Sequence, residues 1–163
     1  MLDTLDRIDR NIILALETDA RASVSQIAER VGLSQSACTR RIQALESRGV
    51  ITGYGPRYGW RVLGFHVIAY VEVTLASQAE AALEAFERGV SAIAGVVECA
   101  LVSGGHDYHV KIICRDLDDY ERIHREGLGP LPGVARINTS FALRQLKTRG
   151  AADALIGAPS LLA

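Results

Sequence analysis

The sequence has few cysteines and prolines and no long apolar run. Its three cysteines, Cys38, Cys99 and Cys114, are odd in number, far apart and without a C-x-x-C motif, which disfavours a disulfide framework or a cysteine-based metal site. Each lies in an apolar pattern, so we expect three buried, reduced thiols. The apolar runs are too short to span a bilayer and the first ten residues are already charged, so we expect no membrane segment, no signal peptide and a cytoplasmic protein.

The chain also lacks an excess of charge of either sign. Its net charge is -1 over 163 residues, so composition alone does not indicate a nucleic-acid-binding protein. The distribution is uneven, because residues 1–63 hold nine arginines, no lysine and seven acidic residues. That part has a net charge of +2 and the remainder has -3, which modestly favours nucleic-acid contact by the first part.

Two helical patterns meet at Gly32. Apolar residues recur at helical spacing before it (Val24, Ile27, Ala28, Val31) and after it (Cys38, Ile42, Leu45). Ser23 and Gln26 have the spacing of a capping box, which predicts the start of the first helix. Gly32 permits a turn with positive φ, and Ser34 is a favourable N-cap for the second helix. The pattern predicts a helix-turn-helix whose recognition helix covers residues 34–48.

Polar residues occupy the face of the recognition helix opposite its apolar stripe. They are Ser34, Gln35, Ser36, Thr39, Arg40, Arg41 and Gln43. Hydroxyl, amide and guanidinium groups contact phosphates and base edges in the major groove of double-stranded DNA. The best candidates for reading bases are Gln35, Ser36, Thr39 and Arg40. Ser34 can act as a cap, a phosphate ligand or both, and Arg41 can contact phosphate or form an internal salt bridge. The alternative is an ordinary helical hairpin with a solvated polar face.

The periodicity of the sequence changes after the helix-turn-helix. Helical spacing also predicts a first helix over residues 3–18, and the Gly-rich, aromatic segment 50–61 suggests a short strand followed by a linker. Beyond residue 64 the pattern predicts strand, helix, strand, strand, helix and strand at 65–75, 78–91, 96–102, 107–115, 116–127 and 134–147. This order is the ferredoxin-like βαββαβ unit, with both helices on one face of the sheet.

We therefore predict an α+β protein in four segments. Residues 1–52 form a winged-type helix-turn-helix domain, and residues 53–63 form a linker. Residues 64–149 form the βαββαβ domain, and residues 150–163 form a C-terminal tail.

Three stretches carry a resemblance to a known family. The chain resembles the Lrp/AsnC feast-famine regulators in LDRIDRNIILALETDARASVSQIAERVGLSQSACTRRIQALESRGVITGY, FERGVSAIAGVVECALVSGGHDYHVKIICRDLDDYERI and LPGVARINTSFALRQLK. The resemblance implies a transcription regulator with an N-terminal helix-turn-helix and a C-terminal effector-binding module, called RAM. It also implies dimerisation through the β-sheet module and further assembly, up to an octamer built as a tetramer of dimers.

The resemblance also implies an effector site. Family members commonly bind amino acids near the turn that reads Gly104, Gly105, His106, Asp107 and Tyr108 in this sequence. The residues alone predict only a tight hairpin at Gly104-Gly105. With the resemblance, we expect these five residues to bind an amino acid, because Asp107 offers an anion for its ammonium and the turn offers N–H groups for its carboxylate. Weaker candidates in the same module are Thr139 and Ser140. No other cofactor is expected.

The histidines raise two further possibilities. His106 and His109 are three residues apart, and residues three apart in a strand point to opposite faces, so we expect no metal site. The sequence has no nucleophile elbow, catalytic triad spacing or paired carboxylates, so we expect no enzymatic activity. The two-domain architecture also resembles tetrapyrrole (sirohaem-type) decarboxylases, for which His66, His106 and His124 would be the relevant residues. That enzyme is the alternative function.

Overall fold

The computed structural model of the protein describes residues 5–146. These residues divide into two compact units, one ending at Arg57 and the other spanning Tyr58–Leu146. The predicted tail at 150–163 and the end of the predicted last strand lie outside the described residues. No helix within residues 5–146 is long and apolar enough to cross a membrane.

The N-terminal unit contains three helices. They are α1 Arg7–Thr18, α2 Val24–Val31 and α3 Gln35–Ser47. The predicted start of α1 at residue 3 is wrong, because Asp6 caps the helix and its Oδ1 accepts from the Asp9 N–H at 2.8 Å. The core of the unit is built from Ile12, Ile27, Ala28, Cys38, Ile42 and Leu45. The apolar stripes predicted for the three helices therefore meet in one small core.

The turn between α2 and α3 has the predicted geometry. The Ser23 N–H donates to Gln26 Oε1 at 2.8 Å, and the Gln26 N–H donates to Ser23 Oγ at 3.3 Å, which completes the capping box. Gly32 has a φ of 71°, in the region that disfavours residues with a Cβ atom. Ser34 caps α3 by accepting from the Ala37 N–H at 3.3 Å. Local hydrogen bonds thus define both ends of the turn.

The short strand predicted within residues 50–61 is wrong, because that segment contains neither strand nor helix. Gly53 and Pro56 disfavour a regular strand, and the described part of the N-terminal unit offers no other strand to pair with. Side-chain contacts hold the segment instead, since the Tyr54 hydroxyl donates to Glu46 Oε1 at 2.8 Å. Burial and the neighbouring Glu46 carboxylate raise the pKa of Tyr54 to about 12.

The C-terminal unit is a four-stranded antiparallel sheet. Its elements are β1 Val67–Leu75, α4 Glu80–Ser91, β2 Val96–Leu101, β3 Tyr108–Cys114, α5 Leu117–Arg122, a π-helical continuation of α5 over Ile123–Leu128, and β4 Val134–Phe141. The strand order is β2-β3-β1-β4, which confirms the ferredoxin-like βαββαβ prediction. β4 is shorter than predicted because β1, the strand with which it pairs, begins at Val67. The Ala142 N–H donates to the Ile68 carbonyl, next to that first residue of β1.

The helices of this unit pack on one face of the sheet. The core combines inward residues of the two central strands with α4, α5 and its continuation: Ala69, Val71, Val73, Val110, Ile112, Phe86, Val90, Tyr120, Ile123 and Leu128. Because side chains alternate along a strand, Tyr70, Glu72, His109 and Lys111 project from the opposite face. This second face, which we call the open face, carries polar and charged groups.

The prediction of three buried cysteines is wrong for one of them. Cys38 and Cys114 are buried, whereas Cys99 is exposed because its strand, β2, lies at the edge of the sheet. Burial raises the pKa of Cys114 to about 11. Desolvation, and secondarily the Glu87 carboxylate, raises the pKa of Cys99.

Candidate nucleic-acid interface and effector turn

α3 presents its polar residues on one surface. Ser34, Gln35, Ser36, Arg40 and Gln43 are exposed and Thr39 is half-buried. The opposite side of the helix is buried in the unit through Cys38, Ile42 and Leu45. The predicted base-reading residues therefore lie together on a solvent-facing surface of a helix that is fixed from behind.

The hydroxyl groups on this surface are already oriented by the helix. Thr39 Oγ1 donates to the Gln35 carbonyl at 2.9 Å, and Ser34 Oγ lies 3.3 Å from Ser36 Oγ. A hydroxyl that donates one hydrogen bond still has acceptor capacity. Arg40 and Gln43 are exposed on the same surface, so, with Gln35, they are long side chains placed to reach a ligand.

Arg41 is engaged inside the N-terminal unit. Its Nη1 donates to Asp6 Oδ2 and to Asp9 Oδ1, both at 2.7 Å. The hydrogen bonds that Arg41 donates to Asp6 and Asp9 raise its pKa, while the Asp9 N–H and the Arg41 guanidinium lower the pKa of Asp6. Of the two roles that the sequence left open for Arg41, the internal salt bridge is the one present in the structure. It ties α3 to α1.

The turn between β2 and β3 projects exposed backbone. The Val102 N–H donates to the Asp107 carbonyl at 2.8 Å, and the Asp107 N–H donates to the Val73 carbonyl at 2.9 Å. Between these anchors Gly104 and Gly105 are exposed, and Gly104 has a φ of 140°. The chain reverses here between neighbouring antiparallel strands, as the sequence predicted.

Asp107 is buried, with 5% of its surface exposed. Its Oδ2 accepts from the Leu75 N–H and its Oδ1 accepts from Gln78 Nε2, both at 2.7 Å. The carboxylate therefore joins the β2–β3 turn to the end of β1 and to the segment before α4. The carboxylate that the sequence offers as a partner for an effector ammonium thus has a donor from its own chain on each oxygen.

The other predicted effector residues are distributed over the sheet. Tyr108 points to the helix-covered face with 1% exposure, and its hydroxyl donates to Glu87 Oε1 at 2.8 Å. Burial, followed by the Glu87 interaction, raises the pKa of Tyr108. Thr139 and Ser140 lie on β4, which β1 separates from β3, and the Thr139 hydroxyl is hydrogen-bonded to Tyr120. These residues do not meet the turn within one chain.

The expectation that His106 and His109 face opposite ways is wrong. His106 lies in the turn, because β3 begins only at Tyr108, so strand alternation does not relate the two residues. Their rings are in edge-to-face contact with centroids 4.4 Å apart, and His106 Nδ1 lies 3.9 Å from Glu72 Oε2. Sequence reasoning missed Glu72 because it reaches this cluster by pairing opposite His109 across β1 and β3, which no local pattern signals.

The histidines considered for a tetrapyrrole site lie apart. The His66 N–H donates to the Cys114 carbonyl at one end of β3, whereas His106 precedes the other end. A strand of that length spans about 20 Å. His124 lies in the π-helical segment, with its ring beside that of Tyr120. The described chain does not assemble these histidines into one site.

Comparison with known proteins follows the division into two units. Residues 5–52 match the family model described as winged helix-turn-helix DNA-binding, and residues 68–152 match the model of the Lrp/AsnC ligand binding domain. A helix-turn-helix of the DNA-binding type joined to a sheet module of the ligand-binding type defines the class: a DNA-binding protein with a ligand-binding domain.

Relatives across nearly the whole chain specify the family. The chain is 36% identical over 148 residues to the proline dehydrogenase transcriptional activator of Rhizobium radiobacter, covering 91% of this chain and 95% of that protein. It is 37% identical over 143 residues to the leucine-responsive regulatory protein of Escherichia coli K12, covering 88% and 87%. A transcriptional regulator of Neisseria meningitidis in complex with L-Met has the same fold, with a TM-score of 0.85, 27% identity and coverage of 90% and 94%.

The chain belongs to the Lrp/AsnC family of transcriptional regulators. The resemblance seen in the sequence is thereby confirmed, together with the α+β fold. The relatives are regulators of transcription and not enzymes, and they lend no support to the tetrapyrrole decarboxylase alternative.

Proposed function

We propose that the exposed face of α3 reads base edges in the major groove and that an amino acid acts as effector through the C-terminal unit. The observation that carries the first part is the placement of Arg40 and Gln43, which are exposed on the side of α3 opposite its buried stripe. Arg pairs with guanine and Gln with adenine through two hydrogen bonds each. Ser34, Gln35, Ser36 and Thr39 complete the surface, and Arg41 supports α3 from behind.

Self-association would let more than one α3 helix contact the same DNA molecule. Two copies joined through the β-sheet module would present two α3 helices to successive turns of the major groove, about 34–36 Å apart. The net charge of -1 makes the electrostatic attraction of one copy for DNA weak. Tight binding then requires several copies acting together, and we propose a dimer that assembles further into a tetramer of dimers in the cytoplasm.

The effector part of the proposal centres on the β2–β3 turn. The exposed backbone of Gly104 and Gly105, with His106 beside it, contacts the effector, while Asp107 and Tyr108 hold the turn in place from the core. Thr139 and Ser140 lie on β4 and take part only if a second copy of the chain brings them to this turn. A relative's complex with L-Met and the family model's ligand-binding domain support an amino acid as the ligand class.

DNA reading is tested by selecting a preferred site from a random DNA pool and measuring affinity by fluorescence anisotropy. We expect Arg40→Ala to weaken binding to that site about 10- to 100-fold, the range of one lost base contact, and to relax the sequence preference. The matched control is Arg88→Ala, which removes an exposed arginine of α4 that pairs with Glu84. An unchanged sequence preference in Arg40→Ala would refute the assignment.

The effector is tested by a thermal-shift screen against the twenty amino acids and, as controls, the D-enantiomers of any that bind. A ligand that binds the native state raises the apparent melting temperature by mass action. We expect a selective rise for one or a few L-amino acids. No shift with any amino acid would overturn the effector part and leave the DNA part standing.

A further inference from the structure

We propose that Glu72, His106 and His109 form a binding site for one divalent transition-metal ion of the zinc type. One carboxylate oxygen and one nitrogen from each imidazole all lie within 4.8 Å of one another. The residues come from three different places, namely β1, the β2–β3 turn and β3. The register of the sheet and the turn geometry bring them together on the open face.

The spacing of the cluster suits a metal ion after small adjustments. A tetrahedral zinc ion with bonds of about 2.0–2.1 Å holds its ligand atoms roughly 3.4 Å apart. The ligand atoms of the three side chains already lie within 4.8 Å of one another, and the His106 ring is close to the carboxylate, with Nδ1 3.9 Å from Glu72 Oε2. His109 is exposed and Glu72 is half-buried, so rotation about side-chain bonds can close the remaining distance without moving the strands.

His106 supplies a second, independent observation. Its Nε2 is one of two side-chain atoms that are buried without a hydrogen-bond partner among the described residues. A buried polar atom in that condition costs free energy and indicates a missing partner. Coordination of the metal ion by Nε2 would supply that partner and leave Nδ1 facing Glu72 Oε2.

Glu72 is held from the other side by β4. Asn138 Nδ2 donates to Glu72 Oε2 at 3.0 Å, and the two residues are paired across β1 and β4. This arrangement has the form of an outer-shell partner that orients a ligating carboxylate. Lys111, the next residue of β3 on the same face, is paired with Glu98 at 3.9 Å, so the nearest cation on β3 is directed toward β2.

The donor set indicates the class of metal. Two imidazoles and one carboxylate suit Zn²⁺ and neighbouring transition metals, while Mg²⁺ and Ca²⁺ prefer sites made of oxygen ligands. Three protein ligands leave a fourth position for water or another small ligand. An ion here would connect the β2–β3 turn to β1 and β3 and restrict the motion of His106.

The test is a titration of the untagged, metal-free full chain with Zn²⁺ by calorimetry, in competition with a chelator of known affinity. We expect one ion per chain, no binding of Mg²⁺, and a visible absorption spectrum of bound Co²⁺ without the charge-transfer band of a cysteine ligand. His106→Ala and His109→Ala should each abolish this binding. Asn138→Ala should weaken it about 10-fold or more, as loss of an outer-shell partner does.

The chain offers matched controls within its own sequence. The remaining two of its four histidines, His66 and His124, lie outside the cluster, so His66→Ala and His124→Ala should retain full binding. Cys99→Ser should also retain it, which excludes the exposed thiol as a ligand. Glu72→Gln keeps the side-chain size and the acceptor for Asn138 but should lose most of the affinity. Circular dichroism of each variant verifies that it is folded.

Three results would overturn the proposal. They are the absence of stoichiometric Zn²⁺ binding, unchanged binding in folded His109→Ala, and loss of binding in a control variant. The titration contains no amino acid and no DNA, so it tests the metal site separately from the proposed function.

Discussion

Arg41 of α3 and Asp9 of α1 are joined by a hydrogen bond of 2.7 Å between Nη1 and Oδ1. The same nitrogen donates to Asp6 Oδ2. Arg40, one residue earlier, is exposed on α3. Two adjacent arginines therefore point in different directions, because successive residues of a helix are rotated by about 100°. One can contact DNA while the other holds the helix that presents it.

Arg41→Ala is expected to destabilise the N-terminal unit by about 1 kcal/mol, the upper end for an ion pair near the surface. Most of this destabilisation should come from the interaction with Asp9, because the Asp9 side chain is only 12% exposed. Urea denaturation followed by circular dichroism measures the change. Arg40→Ala serves as control and should alter stability by less than about 0.5 kcal/mol. Equal destabilisation by the two variants would show that the Arg41 salt bridge contributes nothing.

Asp107→Ala is expected to destabilise the C-terminal unit by about 1–3 kcal/mol, because the Leu75 N–H would be left buried without its acceptor. Gln78→Ala removes the other partner of Asp107. That hydrogen bond is only partly buried, so its loss should destabilise the unit less than Asp107→Ala does. Hydrogen exchange at the Leu75 amide reports the effect locally. If Asp107→Ala were as stable as the unaltered protein, the carboxylate would not be holding the turn.

Asp119→Asn is expected to change the acid stability of the C-terminal unit. A hydrogen bond from the Arg115 N–H and another from Arg122 lower the pKa of Asp119 to about 2. The pKa is lower in the folded than in the unfolded chain, so the stabilisation is complete above about pH 4 and is lost as the pH falls toward 2.

The free-energy difference between the unaltered protein and Asp119→Asn should therefore shrink between pH 5 and pH 2.5. Urea denaturation at the two pH values measures it. The exposed neighbour Asp118 provides the control, and Asp118→Asn should show a smaller change. A difference for Asp119→Asn that stays constant with pH would contradict the assignment.

Gly32→Ala is expected to destabilise the helix-turn-helix by about 1–2 kcal/mol, because φ is 71° there and a Cβ atom disfavours that conformation. Apart from Gly32 and its two chain neighbours, no heavy atom of residues 5–146 lies within 4 Å of the added Cβ, so we attribute the cost to backbone strain. Gly53→Ala has equal space and no positive φ, and should leave the melting temperature unchanged. A neutral Gly32→Ala would mean that the turn relaxes to another conformation.

The sequence by itself determined the features that depend on near neighbours. Ser23, Gln26, Gly32 and Ser34 define the helix-turn-helix through contacts within four residues, so their spacing was enough to predict it. The order of strands and helices after residue 64 likewise followed from periodicity. The predictions failed where a local pattern was not decisive, as at residues 50–61. Their aromatic residues suggested a strand, but Gly53 and Pro56 disfavour one and the described part of the N-terminal unit has no strand to pair with it.

Only the tertiary structure decided which distant side chains meet. Arg41 reaches Asp6 and Asp9 from more than thirty residues away, and Asp107 binds the Leu75 N–H across the sheet. Glu72 joins His106 and His109 because β1 pairs with β3 in one register, and because the turn places His106 outside the strand alternation. These contacts depend on strand register and loop geometry, which are set when the whole unit packs. The spacing of residues along the chain therefore does not predict them.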